Sequence, residues 1–193
     1  MDRIRSVAVF CGSQPGSDPA YRQAATVLGR GLAEAGLRLV YGGGRIGLMG
    51  ALADAALAAG GAVTGVIPEF LTQLEVAHPD VAELVVTDSM HSRKQRMFEL
   101  SDAFVSLPGG LGTLDETIEI ITWRQLRLHM KPVLICDVAG SAAPLVGAIE
   151  GAIDRDFAKP WARTLFEVLP GPEAVVARLL RATTVMTADA ARL

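Results

Sequence analysis

A chain of 193 residues is long enough for one well-buried core and too short for two full domains. Half of its residues are hydrophobic but only 5% are aromatic, so the core must be built from Ala, Val, Leu and Ile, which suits a parallel sheet covered by helices. A net charge of -3 excludes a broad basic face for a nucleic-acid polymer, and any anionic ligand has to be met by a local site.

The two cysteines, Cys11 and Cys136, each lie within or at the end of an apolar run and read as reduced core residues rather than a disulfide or a metal pair. Met1-Asp2-Arg3-Ile4-Arg5 leads straight into a strand-like run, with no room for a signal peptide, and no apolar run reaches membrane-spanning length. The expectation is a cytoplasmic protein with no membrane partner.

In chain order, residues 4–11 form a first strand, and Asp18-Pro19 caps and opens a helix that runs to about residue 35 and stops at Gly36. A second strand, 37–41, leads through the glycine-rich turn 42–50 into a second helix that ends near Gly60-Gly61. Residues 62–67 are a third strand closed by Pro68; the weakly periodic stretch 69–83, with Glu75 and His78, reads as a loop with a short helix beside a site. A short strand, 84–87, precedes a helix, 90–100, that carries His91, Arg93, Lys94 and Arg96. The strand 103–107 then enters a second glycine-rich turn, followed by a helix from Thr113 to about residue 128. A strand at 133–136, a helix at 144–153, a polar segment at 155–163, an edge strand at 165–168 and a helix at 173–180 complete the pattern, with the last dozen residues expected to fray.

Alternating strands and helices with short connections imply an α/β fold, a parallel sheet with helices on both faces, in a single domain. Ligands bind such sheets beyond the carboxyl ends of the strands, so the turns at Gly12-Ser13, Gly42 to Gly44 and Gly109 to Gly112 open on one edge. The spacing matches neither the dinucleotide fingerprint nor the Walker pattern, and no Lys-Ser or Lys-Thr follows a loop, which argues against ATP hydrolysis. Ser106 through Glu116 is the strongest anion-binding candidate, because a helix starting at Thr113 would aim unpaired N–H groups at a phosphate in the loop. One phosphate needs one cradle, leaving the other two turns for a sugar and a base.

Arg93 and Lys94 read either as a solvated basic face or as phosphate and leaving-group contacts, and their residue types leave both open. Glu116 either complements the helix dipole or holds ribose hydroxyls and orients water beside a breaking glycosidic bond. Neighbouring helical residues do not share a face, so only one of Asp115 and Glu116 reaches the site; Thr122, on a later turn, borders the same pocket. His78, His91 and His129 lack metal-ligand spacing and no metal is expected. Ser13 has no His and Asp partners in sequence, and Met49, Met90 and Met97 read as core or pocket wall.

Pro108-Gly109-Gly110-Leu111-Gly112-Thr113-Leu114-Asp115-Glu116, preceded by Met90-His91-Ser92-Arg93-Lys94, closely resembles the Lonely Guy (LOG) family of cytokinin riboside 5'-monophosphate phosphoribohydrolases, known by an older label as possible lysine decarboxylases. The resemblance runs from Val7 to about Leu180. It implies a Rossmann-like three-layer fold, a homodimer, and hydrolysis of the N-glycosidic bond of an N6-modified adenosine 5'-monophosphate without metal or other cofactor. It also implies that Arg93 and Glu116 are the catalytic pair, and that Glu75, Lys94, Thr122 and the segment Gly110, Leu111, Gly112, Thr113, Leu114, Asp115 contact substrate. Gly109, Ser13, Gly43, Gly44 and Met90 complete the expected binding set. Leu111 and Asp115 stand where the family commonly has Tyr or Phe and Glu. A decarboxylase would need a lysine for pyridoxal phosphate, and Lys94, Lys131 and Lys159 lack a recognisable setting for one. The alternatives are a phosphoribohydrolase for AMP or another purine monophosphate, and a nucleotide-binding module without turnover.

Overall fold

A computed structural model describes residues 2–72, 77–181 and 183–184. After a two-residue strand β1 (Asp2–Arg3) come β2 (Ser6–Phe10), α1 (Pro19–Glu34), β3 (Arg38–Tyr41), α2 (Gly47–Ala58), β4 (Val63–Pro68), β5 (Glu83–Thr87), α3 (Met90–Glu99) and β6 (Ala103–Ser106). The chain continues through α4 (Leu111–Gln125), β7 (Val133–Asp137), α5 (Ala143–Asp154), β8 (Glu167–Pro170), α6 (Pro172–Arg181) and β9 (Thr183–Thr184). Short 3-10 turns occupy Glu69–Leu71 and Pro160–Leu165.

Local chemistry explains the ends of α1. Asp18 accepts the Ala20 N–H at 2.8 Å and Pro19 sits at the first helical position, while Gly36 takes a left-handed φ of 68° just beyond the last turn. Other boundaries differ from the sequence expectation. Helix α4 begins at Leu111 rather than Thr113, because Gly110 already has the extended N-cap backbone and its C=O accepts the Leu114 N–H at 3.1 Å. It stops at Gln125 rather than near residue 128, where Arg127 adopts a φ of 61° and the Leu128 N–H folds back onto the Trp123 C=O. Strand β8 starts at Glu167, later than expected, because Pro160–Leu165 is consumed by the 3-10 turn. Pro68 is the last residue of β4 rather than its terminator, and the antiparallel pairing of β1 with β9 had no signal in the sequence. The expected fraying of the last dozen residues falls almost wholly outside the described residues.

The main sheet has seven parallel strands in the order β5-β4-β3-β2-β6-β7-β8. Chain order runs outward from β2 through β3 and β4 to β5, then returns to place β6 on the other side of β2. The crevice between the β2 and β6 loops is therefore the topological switch point, where ligands bind in open parallel sheets.

Alternation along the strands builds a core on each face. Val7, Val9, Leu39, Tyr41, Val105 and Leu134 pack with α1, α2 and α6 on one side, and Ala8, Phe10, Val40, Phe104, Val133 and Ile135 with residues of α3, α4 and α5 on the other. Fully buried leucines such as Leu28, Leu32, Leu39 and Leu52 each contribute about 1.5–3 kcal/mol relative to exposure. Helices α1 and α2 approach so closely that a Cβ on Gly29 would lie 2.2 Å from the Leu52 carbonyl oxygen.

Candidate active site

The start of α3 is set by a capping box. Ser89 Oγ accepts the Ser92 N–H and Ser92 Oγ accepts the Ser89 N–H, each at 3.1 Å. One turn in, Arg93 turns inward to the sheet edge. Its Nε donates to the Val66 C=O at 3.1 Å and its Nη2 to the Gly42 C=O at 3.4 Å, so the ends of β3 and β4 hold the guanidinium from two sides. Its Nη1 lies 3.7 Å from Glu116 Oε1 on α4, with both side chains under a tenth exposed. Because α4 starts at Leu111, Glu116 lies beyond the first turn, which contains no acid, and the dipole-complement reading of this carboxylate loses its basis.

Above this pair is a cavity of about 170 Å³. Its walls come from Val9 to Ser13 at the end of β2, from Gly42, from Met49 on α2, from Met90 and Met97 on α3, and from Gly110 to Thr113 at the start of α4. The β2 and β6 loops are joined by the Gly12 N–H donating to the Pro108 C=O at 3.1 Å. Two glycine-rich turns lead into helices here, and they differ in one decisive respect. At α2 the Leu48 and Met49 N–H groups both donate to the Gly12 C=O, at 3.0 and 3.3 Å, so that helix start is closed by the protein's own backbone. At α4 the first intrahelical donor is Leu114, no side chain caps the helix, and the N–H groups of Leu111, Gly112 and Thr113 stand at the cavity wall. Of these two helix starts, the one at α4 is open to an anion.

Of the residues the sequence nominates, Ser13, Met90, Arg93, Gly110, Leu111, Gly112, Thr113 and Glu116 line this cavity. Gly109 packs instead against Thr113 and Gly12, where a Cβ would meet Thr113 Oγ1 at 2.1 Å. Gly43 and Gly44 are buried one step behind Gly42: the Gly43 C=O accepts the His78 N–H at 3.0 Å, and Gly44 bridges Ala77. Leu114 is exposed on the far side of the loop, and Thr122, also exposed, donates its hydroxyl to the Ile118 C=O at 2.8 Å. Asp115 points away from Glu116 and is 61% exposed. Lys94 does not line the cavity; its Nζ is 3.1 Å from Asp115 Oδ2 and 3.0 Å from Glu119 Oε2. Burial pulls the Lys94 ammonium toward neutrality, but Glu119 and Asp115 outweigh it and hold its pKa above the usual lysine value. Glu75 lies outside the described residues.

Gly42 and Cys11 reach the cavity without being picked out as site residues by the sequence. The signal for Gly42 was present only as one of three consecutive glycines, and which of the three faces Arg93 depends on β3 and β4 being neighbours. Beside it, buried His78 ties the loop down: its Nε2 lies 3.0 Å from Asp54 Oδ1 and its Nδ1 accepts the Asp80 N–H at 3.3 Å. Among the described residues, no three His, Cys, Asp or Glu side chains gather closely enough to hold a metal ion.

A parallel sheet with helices on both faces and a switch-point crevice above a buried arginine–carboxylate pair define an α/β protein of Rossmann-like build. The family model described as "possible lysine decarboxylase" matches residues 49–179. The chain is 47% identical over 176 residues to a cytokinin riboside 5'-monophosphate phosphoribohydrolase of Rhodococcoides fascians, covering 91% of this chain and 89% of that protein. It is 42% identical to a protein of the same name from Arabidopsis thaliana, covering 92% of this chain and 82% of the other. Among solved structures, the molybdenum cofactor binding protein of Rippkaea orientalis superposes with a TM-score of 0.69 at 22% identity, covering 93% of this chain and 96% of that one, a likeness of fold. The chain belongs to the Lonely Guy family, whose members carry the older label of possible lysine decarboxylase.

Proposed function

We propose that this chain hydrolyses the N-glycosidic bond of N6-modified adenosine 5'-monophosphates, releasing the free base and ribose 5-phosphate. The observation that carries the reading is the Arg93–Glu116 pair, 3.7 Å apart beneath the open N-terminus of α4. The substrate class is supported by relatives of that activity at 41–47% identity.

In this reading the 5'-phosphate takes the N–H groups of Leu111, Gly112 and Thr113, where the positive end of the helix dipole favours it. Glu116 holds a ribose hydroxyl and directs water to the anomeric carbon, and its charge stabilises the cationic sugar as the C–N bond breaks. Water supplies hydroxyl to that carbon and a proton to the departing base. Arg93, its Nε and Nη2 bound to two carbonyl groups, presents a fixed positive charge to the leaving base. At about 170 Å³ the cavity is smaller than the roughly 300–1,000 Å³ usual for a whole ligand, so it takes the ribose phosphate, and the base rests at the rim beside Leu111, which is 86% exposed.

The protein as proposed acts as a single cytoplasmic domain and as a homodimer. Leu126, Leu128, Met130 and Trp161, each half exposed or more around the C-terminal end of α4, supply apolar surface for a second copy. Among the described residues, no helix is long and apolar enough to cross a membrane. Incubation with AMP, N6-isopentenyl-AMP, the matching nucleoside and a dinucleotide, with free base and ribose 5-phosphate quantified, tests the activity. Release from N6-isopentenyl-AMP is the expected result. Turnover of AMP alone would replace the substrate assignment, and nucleotide binding without base release would leave a binding module. Sedimentation and cell fractionation check the dimer and the compartment.

A further inference from the structure

Helix α3 carries Arg93 but is fastened by little apolar surface. Met97 is its only fully buried apolar side chain, with Phe98 partly buried behind it. Charge does much of the fastening to α4. Arg93 meets Glu116, and the next residue, Lys94, meets Asp115 and Glu119, which stand one helical turn apart on the same face of α4. A single ammonium group thus bridges a full turn of α4 next to Glu116. The Lys94 side chain is 16% exposed, and two of its three donors face carboxylates. The buried Glu119 Oε2 accepts no hydrogen bond of good geometry and is answered by the Lys94 charge at 3.0 Å.

We infer that Lys94 is a positioning residue for the Arg93–Glu116 pair, its double bridge to Asp115 and Glu119 locking α3 against α4 and so setting the gap across which the reaction proceeds. This rests on the hydrolase reading above, and it separates Lys94 from the substrate contacts that its motif suggests. Successive residues on a helix point about 100° apart, so Arg93 faces the cavity while Lys94 faces the outer flank of α4. Displacing a catalytic group by about 1 Å can cost about 100-fold in rate, so a clamp of this kind acts on turnover more than on binding.

The experiment is a double-mutant cycle on base release, with kcat and KM measured for the wild-type chain, Lys94→Ala, Glu119→Gln, and the double variant. Expected are a fall in kcat of about tenfold or more for Lys94→Ala, with KM within about threefold, a smaller fall for Glu119→Gln, and a double variant no worse than Lys94→Ala alone. Lys94→Arg, which keeps the charge and reach, restores most of kcat, and circular dichroism melting shows whether Lys94→Ala remains folded. If Lys94→Ala does not fold, Glu119→Gln with Asp115→Asn carries the test, with the same drop in kcat expected at unchanged KM. A KM raised by tenfold or more with losses that add would make Lys94 a substrate contact and overturn the inference while leaving the hydrolase reading intact. A wild-type chain that releases no base from any nucleotide overturns both.

Discussion

Arg93 Nη1 stands 3.7 Å from Glu116 Oε1, too far for a direct hydrogen bond between those atoms and close enough for a strong ion pair at the floor of a cavity. Each side chain compensates the other's buried charge. Glu116→Gln keeps the shape and removes the charge, so base release is expected to fall by at least about 100-fold, and stability also falls, though by less than for loss of Arg93, because the Val66 and Gly42 carbonyl groups still hold the guanidinium. Arg93→Ala removes the carboxylate's counter-charge at 3.7 Å and is expected to lose activity and also about 3 kcal/mol of stability, the low end for breaking a buried pair. Steady-state rates together with urea unfolding separate the two effects.

Gly42 carries a prediction that its place in the sequence does not suggest. A Cβ there would lie 2.2 Å from Arg93 Nη2 and 2.8 Å from Met49 Sδ. Gly42→Ala therefore pushes the guanidinium off the Gly42 and Val66 carbonyl groups, and activity is expected to fall about tenfold or more, with a smaller effect on stability. Gly147→Ala, on α5 at a glycine with nothing nearby for a Cβ to meet, serves as the control for activity. Equal activities in the two variants would contradict the arrangement around Arg93.

Gly29 tests packing instead of chemistry. On α1 its Cβ position lies 2.2 Å from the Leu52 carbonyl oxygen and 3.1 Å from its carbon, atoms of the α2 backbone that cannot rotate away. Gly29→Ala must force the helices apart, at a cost of about 1–3 kcal/mol despite the better helix propensity of Ala. Chemical denaturation is expected to show a lower midpoint with an unchanged slope, and the folded variant keeps its activity at low temperature.

His129 makes stability depend on pH. Burial is the largest cause holding its pKa below the ordinary 6.5, with the charges of Lys131 and Arg124 adding, although the Ile120 carbonyl favours the protonated ring. Its Nδ1 accepts the Lys131 N–H at 3.1 Å and its Nε2–H donates to the Ile120 C=O at 3.0 Å, an arrangement that needs the neutral ring. Below pH 6.5 the unfolded histidine takes a proton that the folded one refuses, so the unfolded state binds more protons and stability falls with pH until the folded group also titrates. Unfolding free energies at pH 7.5, 6.5 and 5.5 are expected to decline more steeply for the wild-type chain than for His129→Gln. A parallel decline in both would remove His129 from the account.

Local chemistry made much of this protein legible in its sequence. Asp18-Pro19 and Gly36 punctuate a helix whatever surrounds them, apolar alternation in β2, β3 and β6 marks buried strands, and the glycine-rich turn after β6 marks a strand-to-helix connection, because each depends on residues within a turn or two of one another. Even Arg93 and Glu116 stand out, each inside a specific motif. What tertiary structure decided is which of several equivalent-looking groups faces the site. The start of α2 and the start of α4 look alike as sequence, but the Gly12 carbonyl closes the first and leaves the second open. Three consecutive glycines are interchangeable on paper, yet only Gly42 lies against the guanidinium. Arg93 and Lys94 read as one basic pair until the helix turns them to opposite duties. These outcomes depend on which strands lie side by side, β3 beside β4 for Gly42, β2 beside β3 for the closed start of α2 and β6 beside β2 for α4, and no local spacing encodes those juxtapositions.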